Sequence, residues 1–204
     1  MDPKSTIFCM ALAMLVSACG TAGRSEMDSQ PAGNSMEEMN APLPPAIIPP
    51  AVDSLANAAN VECAATNNGH TSCIAGKLSV DLYESCGRDG LFGAVSTDDG
   101  IAVKERPETD AGSVARLGGG QFLCIRGVAR QEQNPEWYFV MAIPVATVAG
   151  CANRELCRIY GDRPVAWAVP PSGNPCVLKS DRYAGDCASG WVAAESIEVF
   201  SEGI

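Results

Sequence analysis

The sequence predicts an all-β head preceded by a disordered linker, on three observations. From residue 78 onward the apolar residues come in short runs broken by Gly, Pro, Asp and Asn, as expected of short strands joined by turns. Eight cysteines lie between positions 63 and 187, the density of a disulfide-braced exported domain. Within the linker, residues 19–60, the stretch 21–40 carries no apolar period and a proline-rich stretch follows it, a composition that buries too little apolar surface to offset the entropy of ordering.

The strand signals are "KLSVDLY", "FGAVS", "IAVK", "QFLCIRGV", "WYFVMAI", "PVAWAV", "GWVAA" and "SIEVF". "SVDLY" and "IAV" alternate with the two-residue period of half-buried strands, so the head reads as a small sandwich or barrel. No segment beyond the linker sustains a helical period, and "CANRELC" has room for a turn or two. Near the end of the linker, "AVDSLANAANV" predicts a short helix capped by Asp53, with Val52, Leu55 and Ala59 on one face. The proline stretch "APLPPAIIPPA" favours polyproline II, at about 3.1 Å per residue a semi-rigid spacer.

The front end has its own pattern. "IFCMALAMLV" is an apolar run of ten residues behind a short polar start with Lys4. It is too short to span a bilayer, which takes about 20 residues, and fits the core of a secretory signal. Val16, Ser17, Ala18 and Cys19 follow, and this "VSAC" resembles the bacterial lipobox. That resemblance implies a signal peptide over 1–18, a diacylglycerol (with palmitate-type acylation) on Cys19, and attachment to the membrane through lipid. More than one acyl chain is needed for stable anchoring. Gly20, rather than aspartate, follows the cysteine, which by analogy with enterobacterial lipoproteins implies the outer membrane, facing the periplasm or the surface.

The chain has ten cysteines. With Cys9 in the signal and Cys19 lipidated, Cys63, Cys73, Cys86, Cys124, Cys151, Cys157, Cys176 and Cys187 remain. Eight cysteines allow 105 connectivities; the working assignment pairs Cys63 with Cys73, Cys86 with Cys124, Cys151 with Cys157, and Cys176 with Cys187, the last closing a hairpin over "PCVLKSDRYAGDC". Neither a metal nor any other cofactor is expected: no two of these cysteines have the close spacing of a zinc site, and His70 is the one histidine.

"GAVSTDDGIAVKERPETDAGSVARLGGGQFLCIRGVA", then "EWYFV", then "GWVAAESIEV", resembles a bacterial SH3-like (SH3b) domain. Ile101, Val103 and Lys104 fill its first segment and Pro107 its turn; Val114, Leu117, Gly120, Ile125, Trp137, Gly190, Trp191, Val192 and Ile197 continue the pattern. Ala102 and Arg106 stand where the family has asparagine and glycine. The resemblance implies a small SH3-like barrel over 91–204 with a disulfide-braced insertion at about 145–186, behind a cysteine-rich segment over 61–90. It also places Trp137 and Trp191 in the barrel core.

Chemistry is sparse. A Cys73–His70 pair in "GHTSC" would suit a cell-wall peptidase, but an oxidised Cys73 has no thiolate. The carboxylate pairs Asp98–Asp99 and Glu105–Glu108 lie in polar turns and read as solvated surface. The net charge of −10 argues against nucleic acid as a partner. Arg126, Arg130, Arg154, Arg158 and Arg163 partly cluster; they could receive a carboxylate or other anionic group, but read first as solvated surface. Trp167 and Tyr183 in the insertion, beside Arg158 or Arg163, are the expected binding residues, because aromatics and arginine anchor interfaces. These features predict a non-catalytic, lipid-anchored cell-envelope protein that recognises peptidoglycan or an envelope protein. The alternatives are a structural or inhibitory subunit of an envelope complex, and a cryptic cell-wall hydrolase.

Overall fold

The computed structural model describes residues 50–65, 71–86, 91–152 and 154–200, all within one compact unit. The predicted signal, Cys19, most of the linker and His70 lie outside the described residues.

The chain runs α1 (Pro50–Ala59), β1 (Glu62–Ala65), β2 (Thr71–Ala75), β3 (Leu78–Leu82), β4 (Leu91–Val95), β5 (Ile101–Lys104), β6 (Ser113–Leu117), β7 (Phe122–Gln131) and β8 (Asn134–Ala142). A 3-10 turn (Val145–Thr147), α2 (Glu155–Ile159), β9 (Val165–Trp167), β10 (Val177–Lys179) and β11 (Arg182–Ala184) follow. β12 (Ser189–Ala193), a second 3-10 turn (Ala194–Ser196) and β13 (Ile197–Phe200) complete it. The described residues are thus mostly β.

The main sheet has the order β1-β2-β3-β7-β8-β12-β5-β6-β9. It branches at β7: the first half of β7 pairs with β4 (Leu91 opposite Ile125) and the second half with β3 (Leu82 opposite Gly127). β4 also pairs with β13. Among the described residues the ladders form this branched path and not a closed ring. The change of partner along β7 coincides with a bulge. Ile125 lies opposite Val140 and Gly127 opposite Phe139, leaving Arg126 as the extra residue. A bulge bends a strand and re-aims the side chain it carries.

Strand alternation sorts the core onto two faces. Val140 and Val192 join Val103, Leu117, Leu123 and Ile125 in one cluster. Their sequence neighbours Phe139 and Trp191 point the other way, against Leu55, Ala59 and Val80. A third cluster gathers Phe122, Cys124, Ile143, Val148, Cys151 and Phe200. Gly190 permits the close approach of β12 to β5: a Cβ there would stand 2.5 Å from the Lys104 carbonyl oxygen.

One element differs in setting from the sequence expectation. The helix expected at the end of the linker belongs to the head. α1 starts at Pro50, so Asp53 sits inside its first turn and does not cap it. Its buried face is Leu55, Ala56 and Ala59, with Val52 half-buried. The reason is energetic: α1 covers the Phe139–Trp191 face of the sheet, which would otherwise stand in water. Within 61–90, expected as the cysteine-rich first segment of the head, β3 pairs with β7 over Ser79–Leu82 and extends the main sheet.

Residues 145–186 return to the sheet where β9 pairs with β6 (Trp167 opposite Ala115) and where Gly161 bridges to Gln121 just before β7. Two disulfides, Cys151–Cys157 and Cys176–Cys187, lie in or close this stretch; Cys63–Cys73 joins β1 to β2, and Cys86–Cys124 ties the end of the β3 arm to β7. β10 and β11 form a hairpin of their own. Its turn residues Ser180 and Asp181 both have positive φ, at 45° and 66°, the two-residue form that matches strand twist.

Candidate functional site

The residues expected to bind lie in different surroundings. Trp167 on β9 is half-buried against the first cluster. Tyr183 on β11 packs on the third, and its hydroxyl lies 2.8 Å from Thr147 Oγ1. Arg158 is exposed on α2. Arg163 serves the fold instead. Its guanidinium donates to the carbonyls of Gly119 (3.3 Å), Ile159 (3.1 Å) and Asp162 (3.3 Å). Its backbone N–H meets the buried Gln121 side chain at 2.7 Å. With those donors engaged, Arg163 fastens α2 to the glycine turn at 118–120 and has little left for a ligand.

A different group of side chains is assembled where the β3 arm crosses the bulge in β7. Tyr83 donates its backbone N–H to the Arg126 carbonyl (2.8 Å), and Arg126 Nη2 donates to the Glu84 carbonyl (2.9 Å). The two segments therefore hold each other, and Cys86–Cys124 clamps them beside this exchange. Arg126 Nε is buried without a hydrogen-bond partner among the described residues. Arg130, further along β7, pairs with Asp81 on β3. Tyr138 on β8 sits opposite Val128; Tyr138 and Tyr83 both pack at the margin of the first cluster, partly exposed.

The electrostatics of this patch follow from its burial and its cations. Burial first, and the neighbouring Arg182 second, pull the Arg126 guanidinium below arginine's ordinary value, against an opposing pull from Glu84. Burial pushes the Tyr138 phenol up and Tyr83 adds to the rise, while Arg130 opposes it. Arg182 arrives from the β10–β11 hairpin, where it faces Lys179 across the turn. Sequence reading included Arg126 and Arg130 among its cations but missed Tyr83 and Arg182. They lie on elements far apart in the chain, and no linear motif links them.

Cys73, the thiol that a cell-wall peptidase would need, is bonded to Cys63. Among the described residues no group of three His, Cys, Asp or Glu side chains could hold a metal ion, and no helix is long and apolar enough to cross a membrane.

Elsewhere in the insertion, the Asp186 carboxylate accepts from Ser172 N–H (3.1 Å), Ser172 Oγ (2.9 Å) and Gly173 N–H (2.8 Å). Desolvation raises its pKa, but these donors, with the Asn174 backbone, outweigh it and hold the group below the ordinary 3.8. A carboxyl depressed on folding stabilises the fold above its unfolded pKa and loses that contribution as pH falls through the lower, folded value. We expect the Ser172 and Gly173 amide resonances to titrate together below pH 3.8, and Asp186→Asn to abolish that transition. A titration unchanged in the variant would show that another group is responsible.

Comparison with protein-family models, with curated proteins and with solved structures finds no match to this chain.

Proposed function

We propose that this chain is a lipid-anchored protein of the bacterial cell envelope whose disulfide-braced head is a non-catalytic binding module for peptidoglycan or an envelope protein. The observation that carries the reading is the Tyr83–Tyr138–Arg126–Arg182 patch. It presents aromatics and arginines, the residue types that anchor interfaces, on a scaffold clamped by Cys86–Cys124. An SH3-like head is consistent with the ladders: the segments that resemble that family fall on β4–β8, β12 and β13, which are linked in one continuous set. Membrane attachment rests on the lipobox at Cys19 and on acyl chains, because a chain of net charge −10 gains nothing from anionic lipid headgroups. The hydrolase alternative loses its nucleophile if Cys73 stays oxidised, as it is when joined to Cys63.

The test has two arms. Cys19→Ala should accumulate a longer precursor that takes no lipid label. Processing and membrane partitioning like those of the parent would sink the anchor. The full chain, purified from envelope extract with and without muramidase digestion, should retain cell wall or a partner. Recovery of the chain alone in both arms would overturn the binding reading, and partners that survive digestion would favour a subunit of an envelope complex over a wall binder.

A further inference from the structure

We propose that Arg126 and Arg182, with Tyr83 beside them, form a carboxylate-binding subsite for a peptide partner. This rests on the binding-module reading and names the chemistry that its partner must present.

Four observations carry it. First, Arg126 is the bulged residue of β7, so its side chain departs from the strand's alternation, as bulges do where they aim a group. Second, its guanidinium is anchored by one hydrogen bond, to the Glu84 carbonyl, and that acceptor is neutral. Third, a second guanidinium, that of Arg182, lies near enough for like-charge repulsion to act on it. Fourth, among the described residues neither arginine has a carboxylate within ion-pair distance, whereas Arg130 pairs with Asp81 and Arg106 with Glu108. The chain has 24 acidic and 14 basic side chains, so acids were available to neutralise the pair. Glu84, exposed on the same arm, attracts Arg126 without forming that pair.

Two guanidinium groups close enough to repel each other, neither ion-paired with a carboxylate among the described residues, are what a planar oxyanion satisfies, by N–H···O bonds to each. The aromatic margin of Tyr83 and Tyr138 favours a peptide bearing that carboxylate over a small inorganic ion, since it offers amphipathic surface to the neighbouring residues. Both arms are held in place. Cys86–Cys124 fixes the Tyr83–Glu84 segment, and Cys176–Cys187 brackets the hairpin that carries Arg182. A preformed site of this kind loses little entropy on binding.

The experiment is an NMR titration of the full chain, following the side-chain N–H resonances of Arg126 and Arg182. The probe is a short tyrosine-containing peptide with a free C-terminal carboxylate. The same peptide amidated, inorganic phosphate and matched sodium chloride are the other arms. We expect saturable shifts with the free carboxylate at millimolar concentration, at least tenfold weaker shifts with the amide, and only the weak, non-saturating response of salt with phosphate. Arg182→Gln should weaken the carboxylate response at least tenfold with an unchanged melting temperature, because Arg182 is exposed. Equal responses to acid and amide, or to peptide and salt, would overturn the subsite. Phosphate binding as tight as the peptide's would overturn its assignment to carboxylate. A silent titration with partners still captured from the envelope removes this subsite and leaves the binding reading standing; a saturable titration with no partners captured does the reverse.

Discussion

Trp191→Ala is expected to cost about 3–5 kcal/mol of folding stability, the range for truncating a buried aromatic side chain. Trp191 is fully buried and acts in two ways. Its ring meets that of Phe139 at a centroid distance of 5.3 Å in a tilted arrangement, which such pairs favour. Its Nε1–H donates to the Ala59 carbonyl at 2.6 Å, one of the carbonyls that the end of α1 leaves without an intrahelical partner. The substitution therefore opens a cavity in the second cluster and releases the end of α1. Trp191→Phe separates the two effects, restoring most of the volume while leaving the hydrogen bond unmade, and should cost less than the alanine variant. Denaturant unfolding followed by far-ultraviolet circular dichroism measures both, since the tryptophan itself cannot serve as the probe. Trp191→Ala with a midpoint equal to that of the parent would show that α1 and the second cluster contribute little to the fold. Trp167→Ala provides the contrast, because that ring is only half-buried at the margin of the first cluster and should cost less.

The second large effect concerns Cys86–Cys124. Its cysteines are 38 residues apart, against separations of 10, 6 and 11 for the other three bridges. In the chain-entropy account a bridge stabilises by constraining the unfolded chain, more for a longer loop. That gives about 4 kcal/mol for this bridge and about 2–3 kcal/mol for each of the others. Packing acts in the same direction, because Cys124 is fully buried in the third cluster beside Phe122. The double variant Cys86→Ala with Cys124→Ala should thus be the least stable of the four bridge deletions. It should also be the one that loosens the Tyr83–Arg126 exchange, visible as faster hydrogen exchange at the Tyr83 amide. If deleting Cys151–Cys157 costs more than deleting Cys86–Cys124, loop entropy and burial do not rank these bridges.

How much of this protein was legible in the sequence depends on the range of the interaction concerned. Two-residue alternation and turn residues are local, so the strands around "SVDLY", "IAV" and "QFLCIRGV" could be read directly, as could the hairpin over "PCVLKSDRYAGDC". The glycine turn at 118–120 is local in the same way, with Gly120 at φ +74°. Trp191 is placed in the interior by the SH3-like resemblance of "GWVAA", and it is fully buried. The end of the linker was harder to place. "AVDSLANAANV" shows a helical face, but only the Phe139–Trp191 side of β8 and β12 tells that this face is covered, and that surface is contributed by residues far along the chain.

By itself, the sequence determined that the head is β-rich and that its cysteines suffice for four bridges. The tertiary structure decided the rest. It made β7 the strand where three partners meet, placed a bulge at Arg126, and committed Arg163 to the carbonyls of a turn. It also drew Tyr83, Glu84 and Arg182 onto Arg126 from a separate arm and hairpin. The physical reason is that strand signals arise from neighbours in sequence, whereas a site made of convergent side chains arises from ladder partners and bridges. Ladder register is chosen by the burial of whole faces, and no single segment of the chain carries that information.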